Sequence, residues 1–360
     1  MPDRRTFLKS AAVGGMALTL GGRAMPAPPQ RPKLKLGLDN FSIRALGWKA
    51  PRILEYAASL KVDVVLFSDL DVYESLDDDS LRDLRKKADD LGLALHAGTG
   101  SVCPSSNTFD PKHGTAEELL KLTIRVAKTL GSPVARCYLG NAKDREGEGG
   151  IQKHIRNVVQ VFRNVRSFAV DAGVKIAIEN HAGDTRSHES AALIEDAGKD
   201  FVGSTMDSGN ATWALEDPAG NLEVLGPHAV CAGIRDSMIW ETPEGAGIQW
   251  TAMGEGLVDW KAYFARWSEL CPGTPVILEI ITGFSRSFPY KSEAFWKAWP
   301  AGRDAAFGRW LALARHGKPM EPFRPPAGSD PRTAEQEFQK AELERSIRYC
   351  REVLGLGGKT

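Results

Sequence analysis

Eight short β-rich runs, each followed by a helix-like stretch, constrain this chain more than any single motif does. The runs span 34–39, 62–68, 93–98, 134–140, 174–181, 201–207, 230–236 and 275–281. The stretches between them carry helical signals. Residues 50–60 open with Pro51 in the first turn. Residues 115–130 begin with the capping-box pattern Thr115-Ala116-Glu117-Glu118 and stop at Gly131; the amphipathic stretch 151–172 stops at Gly173. Further helices are expected over 80–91, 188–198, 218–225, 260–270 and 304–316. Strand–helix repetition gives parallel strands joined by right-handed crossovers, and eight such units close into a (β/α)8 TIM barrel. The competing open, doubly wound sheet asks for a glycine-rich phosphate loop after its first strand, and Asp39-Asn40-Phe41-Ser42-Ile43 has no glycine.

The two ends read differently. Arg4-Arg5 followed by Thr6-Phe7-Leu8-Lys9 and a run of small and apolar residues has the form of a twin-arginine export signal. Its apolar part is about a dozen residues, short of the roughly 20 that span a bilayer. Residues 1–30 are therefore read as signal and linker. They predict a periplasmic protein carried folded by the twin-arginine translocase, without a stable membrane anchor. The barrel is expected over 31–317. Residues 318–360 read as a proline-rich linker and a C-terminal helical extension over 333–354. Its stripe of Leu343, Ile347, Cys350 and Leu354 should pack on the barrel or on a second copy of the chain, which leaves a homo-oligomer open.

Lys and Arg number 46 and so do Asp and Glu, so no charge excess points to nucleic acid or a membrane surface. The five cysteines, Cys103, Cys137, Cys231, Cys271 and Cys350, are scattered without a C-x-x-C pair, which is no disulfide framework. Buried free thiols are expected, with a single fortuitous disulfide as the alternative.

Catalytic groups of such a barrel cluster at the carboxyl ends of its strands. The fifth run ends in Glu179-Asn180-His181, the sixth in Asp207, and the eighth places Glu279 inside an otherwise apolar stretch. A carboxylate there is costly unless it is paired or bound to a cation. Glu279 therefore either pairs with Arg235 or Arg136, or joins Glu179 and Asp207 around a divalent metal. His96, ending the third run, either serves a substrate oxygen or is a core histidine. Arg136 and Arg235 either bind substrate or partner the acids. Asp184 reads as a turn residue. The segment 237–257, with Trp240, Trp250 and four glycines, is read as a long loop that either closes over the mouth and stacks on sugar rings or is an ordinary loop pinned by its tryptophans; Phe284, Phe288 and Tyr290 are candidates to line the same mouth.

Glu179, Asp207, the Ile234-Arg235-Asp236 run, the segment Gly254-Glu-Gly-Leu-Val-Asp259-Trp260 and Glu279 together resemble the xylose isomerase-like superfamily. The resemblance covers roughly residues 33–316. That group contains sugar-phosphate isomerases, ketose 3-epimerases, inosose dehydratases and endonuclease IV-like enzymes. It implies a metal held by Glu, Asp, His and Glu from strands five to eight, and Glu179, Asp207 and Glu279 match three of the four. Where the family has His-x-Lys/Arg-Asp on strand seven, this chain has Gly233-Ile234-Arg235-Asp236. Three carboxylates plus water would favour Mn2+ or Mg2+. Alternatively His181, two residues beyond Glu179, supplies the missing ligand, or the metal site is lost.

The resemblance implies proton abstraction next to a carbonyl, with Glu179 and Glu279 as the acid–base pair, giving isomerisation or epimerisation. Elimination through the same site would make a keto-glycoside lyase or dehydratase. Export favours a non-phosphorylated sugar, an inositol or a keto-sugar. The missing imidazole also leaves open a non-catalytic carbohydrate-binding barrel. A nuclease is disfavoured by the zero net charge and seven histidines.

Overall fold

The barrel strands are built from alternating faces. In the computed structural model, which describes residues 33–359, the strands are β1 (Leu36–Asp39), β2 (Val64–Phe67), β3 (Ala94–Ser101), β4 (Val134–Tyr138), β5 (Lys175–Glu179), β6 (Val202–Asp207) and β7 (Ala229–Gly233). A hairpin of β8 (Asp236–Glu241) and β9 (Ala246–Thr251) follows, then β10 (Val276–Leu278) and β11 (Ser285–Phe288). The parallel order is β10-β1-β2-β3-β4-β5-β6-β7. The ring closes where Ile234 bridges Leu278 in parallel, with Ile234 N donating to Ile277 O at 2.7 Å and Glu279 N to Ile234 O at 3.1 Å. This is the expected (β/α)8 barrel.

Side chains two apart on a strand share a face. Ile176, Ile178, Val202, Met206, Ala232, Val276 and Leu278 point outward into the core beneath the helices. Val64, Leu66, Val134, Ala177, Cys231 and Ile277 fill the lumen. Two residues further along their strands, Ala177 is followed by Glu179 and Ile277 by Glu279. The same period that packs the barrel floor thus delivers the acids to its carboxyl end.

The helices are α1 (Ala50–Ser59), α2 (Asp78–Asp90), α3 (Ala116–Leu130), α4 (Gly150–Ala172), α5 (Ser187–Ala197), α6 (Ser208–Trp213), α7 (Pro218–Leu225), α8 (Trp260–Leu270), α9 (Glu293–Trp296), α10 (Ala305–Ala314) and α11 (Pro331–Glu352). The capping box forms at Thr115 and Glu118, and Gly131 ends α3 in the left-handed region. All five cysteines are buried and free.

One expectation needs correction. The segment 237–257 is no open loop. Six register pairs join β8 to β9, and β11 adds a third antiparallel strand. Alternation over Ser237–Glu241 and Ala246–Thr251 buries Ile239, Ile248 and Trp250, and Trp240 lies against Gly247. A floppy closing loop would not bury that face. The C-terminal helix packs on the barrel, one of the two arrangements its apolar stripe offered: Phe323 N donates to Gly283 O at 2.8 Å, Ala45 N to Gln339 Oε1 at 2.8 Å and Thr282 Oγ1 to Glu342 Oε2 at 2.7 Å. Residues from Lys33 onward form one compact unit. The export-signal reading of residues 1–30 lies outside the described residues.

Candidate active site

Glu179, Asp207 and Glu279 converge: one carboxylate oxygen of each lies within 4.8 Å of the others, and all three residues are buried. Two arginines thread between them. Arg136, inward on β4, donates from Nε to Glu179 Oε2 at 2.6 Å and from Nη1 to Thr99 O at 3.0 Å. Arg235, two residues past Gly233, donates from Nη2 to Glu279 Oε2 at 2.7 Å and also to Asp207 Oδ2. Its guanidinium lies over Trp250, 4.2 Å from the ring centroid. Glycine makes this approach possible: a Cβ on Gly209 would fall 2.4 Å from Arg235 Cγ.

Asparagines fix the acids. Asn210 Nδ2 donates to Glu179 Oε1 at 3.0 Å, and Asn210 N to Asp207 Oδ1 at 2.6 Å. Asn180 closes a two-way bond with the Asp207 backbone at 2.9 Å each way. Asn180 stood at the polar end of the fifth run in the sequence, whereas Asn210 was given no role there. Asp39, ending β1, is a fourth buried acid, bonded to Ser68 and to Phe41 N. Its signal was the strand-end position shared with the other three.

Four buried carboxyl groups, Asp39, Glu179, Asp207 and Glu279, crowd two guanidiniums here. Burial and the Glu279 charge push Asp39 up to about 8. Burial, opposed by Arg235, lifts Asp207 to about 6, and burial, opposed by Arg136, holds Glu179 well above the carboxylate range. An all-oxygen cluster of carboxyl groups fits a hard divalent cation, which binds their ionised form. A buried acidic triad able to hold a metal is therefore present.

The seat of the missing histidine adjoins the same oxygens. A Cβ on Gly233 would lie 3.0 Å from Glu279 Oε2 and 3.1 Å from Asp207 Oδ2. Arg235 Nη2 donates to both of these oxygens, which a side chain at Gly233 would also approach.

Other candidates stand apart. His181 does not join the acids: β5 ends at Glu179, Ala182 turns left-handed, and the period-two alternation stops. Its Nδ1 bonds Gly140 O at 2.6 Å, its ring stacks on Tyr138 at 3.8 Å, and burial keeps it neutral, pushed down to about 3. It borders the site rather than completing the triad. His96 faces the lumen lower down, 3.4 Å from Cys231 Sγ, and burial pushes it down to about 4. That is the core-histidine arrangement.

Asp184 is more than a turn residue. Fully buried, it accepts from Gly140 N at 3.0 Å and His181 N at 2.8 Å, tying the loops after β4 and β5 together. Asp236 likewise gathers Gly254 N, Gly256 N and Trp260 Nε1 at 3.1, 3.0 and 2.7 Å, so the Gly254–Trp260 segment is a scaffold wrapped on one carboxylate. Trp250 bonds Gly209 O and stacks on Trp213 at 3.8 Å, with Phe284 edge-on to both. Trp240 does not reach this group.

A closed barrel with buried acids and cations at its carboxyl end is the architecture of an enzyme acting on small molecules. The chain belongs to the xylose isomerase-like TIM barrel family, whose model matches residues 54–297. It is similar to the 3-oxo-isoapionate decarboxylase of Pectobacterium atrosepticum, 22% identical over 212 residues that cover 58% of this chain and 70% of that protein. Its fold is similar to a D-psicose 3-epimerase crystallised in the presence of D-fructose, with TM-score 0.59, 17% identity, and 89% and 100% of the two chains covered. It is also similar to a 3-keto-D-glucoside 4-epimerase from E. coli, with TM-score 0.52, 14% identity, and 75% and 99% covered.

Proposed function

We propose that this chain is an exported sugar epimerase or isomerase that abstracts a proton next to a carbonyl of a non-phosphorylated sugar, inositol or keto-sugar, assisted by Mn2+ or Mg2+. The convergence of Glu179, Asp207 and Glu279 within 4.8 Å carries this reading. These three residues would hold the ion, which supplies Lewis-acid polarisation of the substrate carbonyl.

The protein's own residues do the rest. One glutamate takes the proton from the carbon beside the carbonyl, and the other returns one to the opposite face or the neighbouring carbon. Burial raises the Glu179 carboxyl above the usual carboxylate range, while Arg136 and Asn210 donate to its two oxygens. Arg235 is 2% exposed, and its Nε and Nη1 have no acceptor among the described residues, so they are free to donate to a substrate oxygen as it gains charge. Trp250, sandwiched between that guanidinium and Trp213, holds Arg235 in place. Asn210 and Arg136 orient Glu179.

Similarity to a decarboxylase supports a second reading. The same stabilised negative charge beside a carbonyl serves loss of carbon dioxide or of a β-substituent, a lyase reaction. The Arg4-Arg5 signal supports a periplasmic site of action, where phosphosugars are scarce. A product screen on free and 3-keto sugars with Mn2+, Mg2+ or Co2+ tests the proposal. Epimer or isomer formation supports it, elimination or decarboxylation products select the second reading, and no turnover with no bound ion leaves a binding barrel.

A further inference from the structure

Glu279 stands one residue beyond the end of β10, where the barrel ladder no longer supports it. The last pair between β1 and β10 is Leu38 with Leu278. After Asp39 the chain leaves β1 for a helical turn over Asn40–Leu46, so β1 offers Glu279 no further strand partner. Buried backbone groups need partners, and those around Glu279 must find theirs elsewhere.

Ser42 supplies them. Fully buried in that turn, its hydroxyl donates to Leu278 O at 3.1 Å and accepts from Ile280 N at 2.8 Å. These two groups belong to the two peptide planes that meet at the Glu279 Cα. One hydroxyl thus fixes both planes. With Glu279 N bonded to Ile234 O at 3.1 Å, the backbone that aims this carboxylate is held at three points.

The turn is held in its place as well. Asp39 caps its start by accepting from Phe41 N at 2.7 Å, and Gly47 ends it in the left-handed region. α11 takes both backbone groups of Ala45: Ala45 N donates to Gln339 Oε1 at 2.8 Å, and Gln336 Nε2 donates to Ala45 O at 2.9 Å. The same helix grips the chain just past Glu279, where Thr282 Oγ1 donates to Glu342 Oε2 at 2.7 Å.

We propose that Ser42 is a positioning residue for Glu279 and that the C-terminal helix, through Gln339, keeps Ser42 in place. The tail then serves the reaction as well as the stability of the barrel. The inference rests on the reading of Glu279 as the acid that moves the proton and helps hold the ion.

Wild type is compared with S42A, Q339A and, as a control, T123A, which removes an equally buried hydroxyl bonded to Leu119 O at 2.8 Å within α3. The readouts are deuterium exchange by mass spectrometry over residues 276–282, calorimetric titration with Mn2+, and kcat and KM on a keto-sugar that wild type turns over. S42A should exchange faster over 276–282 and bind Mn2+ roughly 10-fold more weakly, as loss of a group that orients a ligand does. Its kcat should fall at least 10-fold with KM within twofold, since a shift of about 1 Å at a reacting group can cost on the order of 100-fold. Q339A should move the same quantities in the same direction by about threefold, and it carries the test should S42A not fold. T123A should move none of them. Wild-type exchange in S42A, faster exchange with Mn2+ affinity and kcat intact, or an equal fall of kcat in T123A would overturn the proposal. If E279Q turns over at the wild-type rate, the reaction assignment fails, and exchange and Mn2+ affinity in S42A still decide whether Ser42 holds the acid.

Discussion

Arg235 Nη2 lies 2.7 Å from Glu279 Oε2 while bonded to Asp207, so one guanidinium nitrogen bridges two of the three clustered acids. A side chain at Gly233 would approach the same oxygens. A divalent ion drawn to the same oxygens competes with this nitrogen, which links cation binding to the position of Arg235 over Trp250.

Removing the guanidinium should therefore be costly. R235M leaves Asp207 and Glu279 buried without their shared cation, a loss of roughly 3–5 kcal/mol for broken buried pairs. Urea unfolding in chelator measures it, and added Mn2+ should recover part of the loss. A variant as stable as wild type in chelator would contradict the pairing.

Metal binding should register as stability. At 100 times its dissociation constant an ion that binds only the native state adds about 2.7 kcal/mol. Mn2+ should raise the Tm of wild type in scanning calorimetry and leave D207N unmoved. An equal rise in both would place the ion elsewhere.

Gly209→Ala probes the close approach. Its Cβ would fall 2.4 Å from Arg235 Cγ, so the arginine must leave its seat against Asp207 and Trp250. Quenching of Trp250 fluorescence should change with little change in far-ultraviolet dichroism, and turnover should fall at least 10-fold, about 1.4 kcal/mol. Unchanged fluorescence and turnover would show that Arg235 is not held there.

Asp184 sets a pH slope. Burial lifts it to about 7, whereas an unfolded aspartate titrates near about 3.9. The native state keeps the proton to higher pH, so this contribution is full below about pH 4 and is lost as pH rises through about 7. The stability of wild type relative to D184N should fall across that window. A constant difference would contradict the assignment.

The barrel was legible because short β-rich runs alternate with helical stretches, several of which carry an end signal such as Thr115 or Gly131. Glu279 was legible because nothing else polar interrupts its strand. What escaped notice depends on contacts far apart in sequence. Asn210 matters only because α6 carries it back over Glu179, and Asp236 looks like any strand-end acid until Gly254, Gly256 and Trp260 fold onto it. His181 misled because alternation was extended past the end of β5. The 237–257 segment looked like a loop because its glycines hide a strand pattern. Gly247 is needed there for the Trp240 ring to lie flat on the neighbouring strand.

The central claim is that Glu279 moves a proton at the carbon beside a sugar carbonyl. Solvent deuterium wash-in, followed by proton NMR on a keto-sugar that the wild-type protein turns over, measures that step directly. The account predicts loss of one substrate proton signal with wild type and at least 100-fold slower exchange with E279Q, about 2.7 kcal/mol of transition-state stabilisation. Exchange by E279Q at the wild-type rate would contradict it.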